Sequence, residues 1–164
     1  MRRVAKADAA ALKRVRLAAL ADAPSAFGST YAAESDRPNT EWAARAAAGA
    51  LGSDRAMFFA LVDDEVVGLA GGYREEPAST TVHLVSMWVA PHVRNQRVGA
   101  ALVAAVTKWA VDTGATDLSL WVTVGNTPAE TLYASTGFVT TGEVQPLPSD
   151  TSRTEAEMRR LVVA

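Results

Sequence analysis

The sequence has no cysteine, which excludes disulfides, thiolate metal ligands and a cysteine nucleophile. His83 and His92 are its only histidines, too few to lead to a structural zinc site. No apolar run approaches the ~18 residues that span a bilayer. The best stretch, 98–106, ends at Thr107 and Lys108. The start, 1–8, carries charge without an apolar core, so a secretory leader is not expected and the cytoplasm is the expected location. Neither sign of charge dominates: 16 Lys+Arg against 18 Asp+Glu give a net charge of −2. That balance lacks the cationic excess by which nucleic-acid binders attract phosphate, so neither nucleic acid nor membrane is an expected partner. No internal repeat or low-complexity linker occurs.

What is present suits one domain spanning 1–164. Hydrophobic residues make up 49%, and although 33 of them are alanine, enough large apolar side chains remain for a core. Arg2-Arg3-Val4 reads as a short strand. Asp8 stands where an N-cap would, before a helix carrying Leu12, Val15, Leu17, Ala19 and Leu20. Pro24 and Gly28 break that helix, and 25–39 reads as a loop with a helical turn. A second helix follows over 40–50, with Trp42 its one large anchor. Met57–Val62 and Val66–Gly72 flank an acidic turn, the pattern of an antiparallel hairpin. Thr81–Val89 is apolar on both faces, as a central strand is, and Pro91 ends it. Val98, Leu102, Ala105, Val106 and Trp109 recur at helical spacing, and Gly114 closes that helix. Leu118 to Val124 alternates as a strand, Asn126 opens a short helix, Gly137-Phe138-Val139 starts a further strand, and Glu155–Val163 forms the last. The expected class is mixed α/β, with antiparallel strands first and a βαβ unit later.

The loop Arg94-Asn95-Gln96-Arg97-Val98-Gly99, between a strand and a helix, offers backbone N–H groups at the positive end of a helix dipole, which suits a diphosphate. An ordinary capped turn with an exposed arginine has the same composition. The loop is not a P-loop, since no Gly-Lys-Ser/Thr occurs, and it lacks the three glycines of a dinucleotide fingerprint. No Gly-x-Ser-x-Gly elbow is present.

The run from Met87 through Arg94, Gln96 and Gly99 to Leu102 resembles the acyl-CoA-binding signature of the GNAT superfamily of N-acetyltransferases: a strand, Arg/Gln-x-x-Gly-x-Gly/Ala, then a helix. Asn126, Ala129, Leu132, Tyr133, Gly137 and Phe138 are similar to that family's later motif, Asn-x-x-Ala-x-x-Leu-Tyr-x-x-x-Gly-Phe, at every fixed position. The stretch Ala23 to Thr30 resembles a segment of bacterial members. The likeness implies a mostly antiparallel sheet with splayed central strands flanked by helices. It also implies acetyl-CoA as co-substrate, no metal, and an acetyl group passed to a primary amine without a covalent intermediate. Two departures stand out: Arg97 and Asn95 occupy places where glycine is usual. Glycine lets backbone approach phosphate closely; an arginine adds a cation that either grips a phosphate or points to solvent.

On that resemblance, Arg94, Asn95, Gln96, Arg97, Val98, Gly99 and Ala100 hold the diphosphate. Met87, Trp88 and Val89 pair with the pantetheine arm and supply an oxyanion donor. Ala129 belongs to the same cofactor-binding set. Asn126 touches the pantetheine arm, or it only caps its helix. Tyr133 protonates the departing thiolate, or it packs beside Leu132. His83 stands where relatives often carry a glutamate and is a candidate base. A hydrogen-bonded strand histidine is the alternative, and Ser86 could position a water instead. His92 is expected to be exposed. Phe27, Tyr31, Glu34, Asp36 and Trp42 are candidate walls of the acceptor site, where carboxylates would suit a cationic amine of a small molecule or peptide, such as a polyamine, an aminoglycoside, an amino acid or a protein N-terminus. A solvated helix face has the same composition. A catalytically inactive acyl-CoA-binding module and a homodimer both stay open.

Overall fold

The computed structural model describes residues 1–162. One seven-stranded sheet runs in the order β1-β2-β3-β4-β5-β7-β6. Its strands are β1 (Arg2–Arg3), β2 (Arg55–Val62), β3 (Glu65–Tyr73), β4 (Thr81–Val89), β5 (Asp117–Thr123), β6 (Val139–Leu147) and β7 (Asp150–Leu161). Every neighbouring pair is antiparallel except β4 and β5. A parallel pair needs a crossover, and α4 (Val98–Asp112) provides it. The remaining helices are α1 (Ala9–Asp22), α2 (Tyr31–Ser35), α3 (Asn39–Leu51) and α5 (Thr127–Ser135).

Two irregularities in β4 set up the site. Its pairing with β5 covers only Thr81, Val82 and His83, opposite Asp117, Leu118 and Ser119. Beyond that point the strands part, and the β5-facing edge of β4 has no partner strand. The second is a bulge against β3: Leu69 pairs Trp88 and Gly71 pairs Val85, so two β4 residues oppose Ala70. Ser86, one of the two, has φ 56°. Such a bulge takes a peptide group out of the ladder and bends the strand.

Helices cover both faces. A Cβ on Gly72 would lie 2.9 Å from Trp109 and 3.0 Å from Val106, so that face of β3 meets α4. One residue earlier, Gly71 shares the opposite face with Met57 and Val85. There α1 and α3 pack, with Gly49 of α3 against Met57. Strand alternation produces this split. Leu102, Val103, Val106 and Trp109 of α4 and Leu12, Val15, Ala19 and Leu20 of α1 are buried. The helical spacing marked these residues except Val103, which it missed, and it also included Ala105, Val98 and Leu17, which are only half-buried.

Some local expectations are corrected. Asp8 precedes α1 but does not cap it; its carboxylate accepts from the N–H of Ala5 (2.6 Å) and pairs with Arg2. The last strand starts five residues earlier than Glu155, at Asp150, because a tight turn joins it to β6. Val163, the expected end of that strand, lies outside the described residues. Gly114 does close α4, at φ 83°.

Candidate active site

The loop after β4 carries two left-handed residues, Asn95 (φ 63°) and Arg97 (φ 64°). Both expected glycine positions therefore keep a backbone that glycine favours, held here by residues that have a Cβ. Ala101 is the first α4 residue whose N–H bonds back, to the carbonyl of Arg97 (3.0 Å). The amides of Val98, Gly99 and Ala100 thus have no partner inside the helix, as a helix start dictates. A Cβ on Gly99 would come 2.9 Å from Leu132, so α4 and α5 meet closely beside this corner.

Arg94 is already engaged. Its Nε donates to the carbonyl of Val89 (3.0 Å), and Nη2 pairs with Asp22 at the end of α1. Asp22 also accepts from the indole of Trp88 (2.9 Å). Burial opposes ionisation of Asp22, but bonds from Trp88 and Arg94 outweigh it and hold the carboxyl below its ordinary range. Sequence reading missed Asp22, which ties the end of β4 to α1. Gln96 donates weakly to His92 (3.4 Å), which is exposed as expected, and the Arg97 side chain is exposed.

Across the fork stands α5. Its expected cap is corrected: the Asn126 side chain caps nothing. Glu130 accepts from the N–H of Gly125 (3.1 Å), and the half-buried Asn126 side chain has no hydrogen-bond partner among the described residues. Tyr133 is 6% exposed, with its ring edge-on to Phe138 at 5.9 Å. Its hydroxyl makes no hydrogen bond to the described residues, and burial pushes the phenol pKa up. Ala129 and Leu132 are half-buried against the core.

His83 lies where β4 is still paired on both sides. Its side chain makes no hydrogen bond among the described residues. Its ring stacks on Tyr73 at 5.2 Å, with Nε2 3.8 Å from Glu75. The next strand neighbour on this face, Ser119, donates to Glu157 (2.7 Å), which also accepts from Thr141 and Arg159. Burial raises the Glu157 pKa and these bonds lower it, with a net lowering. Glu157 went unnoticed in the sequence because a lone glutamate in a distant strand carries no motif.

A cleft opens between α1, α3 and the sheet, lined by residues that include Trp42, Met57, Tyr73, Val85 and the bulge residue Ser86. The expected walls divide. Trp42 lines the cleft, Phe27 is buried beneath Arg16, and Tyr31 is exposed. Glu34 is not an open carboxylate. It is 1% exposed and accepts from Arg16 (2.9 Å) and Arg45 (2.8 Å), both of which line the cleft. Asp36 has no place in the lining. The cleft is therefore cationic where the sequence suggested acidic walls, because charge at such a site depends on pairing across helices.

Residues 17–138 match the family model described as the Acetyltransferase (GNAT) family. No curated protein matches the chain. Among solved structures, yncA of Salmonella typhimurium with its cofactor acetyl-CoA superposes with TM-score 0.81 at 17% identity, over 99% of this chain and 93% of that one. A GCN5-related N-acetyltransferase from Kribbella flavida gives 0.74 at 23%, over 98% and 96%. Nourseothricin acetyltransferase gives 0.60 at 26%, over 66% and 65%. The last chain is spanned for just under two thirds of its length. A forked β4–β5 pair, a bulge beside it and a family match over 17–138 lead to one statement: this chain belongs to the GNAT acetyltransferase family.

Proposed function

We propose that the chain is an acetyl-CoA-dependent N-acetyltransferase that acetylates a primary amine of a small molecule or peptide in a direct ternary complex, with 1–164 as one catalytic domain. The observation that carries this reading is the open β4 edge running straight into the unpartnered amides of α4. An extended arm with amide groups can add to such an edge like a strand, and a diphosphate at its end would meet the helix N-terminus. The residues fit that group. Left-handed Asn95 and Arg97 shape the turn, Arg97 brings an exposed cation, and Arg94 is held by Asp22 and Val89 as a brace.

Bound acetyl-CoA supplies an activated thioester. The chain supplies geometry and proton control. The β4 bulge at Ser86-Met87 frees a peptide N–H as the donor to the thioester oxygen as it gains negative charge. The amine nitrogen forms its bond to the acetyl carbon while the carbon–sulfur bond breaks, and the sulfur leaves with the electron pair. Tyr133 donates a hydrogen bond, and then its proton, to that sulfur. Its raised pKa keeps the hydroxyl protonated in the free enzyme. His83 takes the proton that the nitrogen loses, and bulk water restores both groups. Alignment of the two reactants can account for roughly 7–11 kcal/mol of the barrier.

Thiol release with acetyl-CoA and a panel of amines tests the reading. Tyr133→Phe keeps the ring against Phe138, so turnover is expected to fall about 10²-fold with acetyl-CoA affinity within twofold. An unchanged rate returns Tyr133 to packing. Acetyl-CoA binding with no thiol release from any amine would favour the inactive acyl-CoA-binding module instead.

A further inference from the structure

Building on the acetyltransferase reading, we infer that its acceptor carries a carboxylate beside the reacting amine, as a free amino acid does, and that Arg16, Arg45 and Arg55 hold that carboxylate in the cleft between α1, α3 and the sheet. All three arginines line the cleft, and no aspartate or glutamate among the described residues does. Among the described residues, the only carboxylate paired with them is Glu34, buried and shared between Arg16 and Arg45. Two positive charges stay uncompensated. Arg55 has no carboxylate within 4 Å among the described residues, and its guanidinium lies over the Tyr73 ring at 5.4 Å. A polyamine or other multiply charged cation would be repelled here.

Two buried donors reinforce the argument. Arg16 spends Nε and Nη2 on Glu34, while its Nη1 is enclosed with no partner. Trp42, 1% exposed, has an indole N–H that is enclosed and unpartnered too. Buried donors left unmade are costly, and both belong to residues lining the same cleft. Oxygen acceptors of an incoming anion are the complement to such a set, with a planar carboxylate matching the guanidinium fork. Val85 and Ser86 line the cleft on the β4 side, so an acceptor held by its carboxylate has its amine directed toward the bulge where the acetyl group is proposed to react.

Matched pairs of L-α-amino acids and their primary amides, small, apolar and aromatic, are the test, with spermidine as a carboxylate-free control. Free acids are expected to exceed their amides at least about tenfold in kcat/KM, the scale of one charge-assisted contact. Arg55 is exposed at the start of β2, so Arg55→Gln removes charge without opening the core; it should bring the acid-to-amide ratio close to one, while Arg55→Lys keeps part of it. Amides used as well as acids, or acetylation confined to spermidine, would overturn the inference and leave the acetyltransferase reading standing. Calorimetric titration with N-acetyl amino acids and their amides decides the matter without turnover. Tighter binding of the acids supports the carboxylate site even if no amine is acetylated, an outcome that sinks only the enzyme reading; acids no tighter than amides overturn the inference.

Discussion

Arg97 holds φ 64°, a conformation that costs a residue with a Cβ roughly 1–2 kcal/mol over glycine. Arg97→Gly is therefore expected to be more stable than Arg97→Ala by about 1 kcal/mol, a melting difference of about 2–4 °C for a chain of this size. Equal melting temperatures would mean that the loop relaxes elsewhere. Glu34 gives a pH prediction. Burial disfavours its ionised form, yet the hydrogen bonds and charges of Arg16 and Arg45 prevail and bring it down to about 2, from an ordinary 4.5. A depressed folded pKa contributes stability that is complete above pH 4.5 and is lost as pH falls toward 2. About 3 kcal/mol lies in that window. In Glu34→Gln the loss of stability between pH 4.5 and 2, followed by urea denaturation, should be smaller by that amount. An unchanged acid limb would show that Glu34 is not held ionised. At this scale the motifs placed Gly99 in the first turn of α4 and Tyr133 on the short helix α5, where the fold has them. The sequence was silent where a role depends on a partner far along the chain, as for Asp22 with Arg94 and Glu34 with Arg16.

Elements were legible wherever hydrophobic period was strong. The spacing in α4 marked its position because the helix buries one defined face, and the alternation of Leu118, Leu120 and Val122 marked β5 although Ser119 and Thr123 on its other face are buried too. Caps were less legible. Asp8 and Asn126 have the right chemistry for capping, but Asp8 finds Ala5 and Arg2, and the Asn126 side chain makes no capping bond to a helix start that carries Pro128. Local competition among donors decides the case of Asp8. The contact of α4 with the sheet supplies a test of its own. A methyl on Gly72 would sit 2.9 Å from Trp109, 3.0 Å from Val106 and 3.1 Å from Val82, all on packed elements. Gly72→Ala is expected to destabilise by about 1–3 kcal/mol through overpacking, read as a lower urea midpoint. A midpoint at or above that of the parent would mean that α4 can move off the sheet.

For the whole molecule, the defining feature is the fork between β4 and β5. The pair is joined through the crossover helix α4 and stays together for three residues, and the bulge at Ser86 lies three residues beyond the last of them. The family motifs implied splayed strands, and the fold has them. The cationic cleft was not legible, because it is assembled from α1, α3 and β2, far apart in sequence. Donor and acceptor sides meet only at the bulge, with Ser86 lining the cleft and Met87–Val89 continuing along the open edge. The measurement closest to the central claim is backbone amide NMR during titration with acetyl-CoA. The largest shifts are expected at Val98, Gly99 and Ala100, and along Met87–Val89. Saturable binding that leaves those six amides unmoved, or no binding at millimolar acetyl-CoA, contradicts the account.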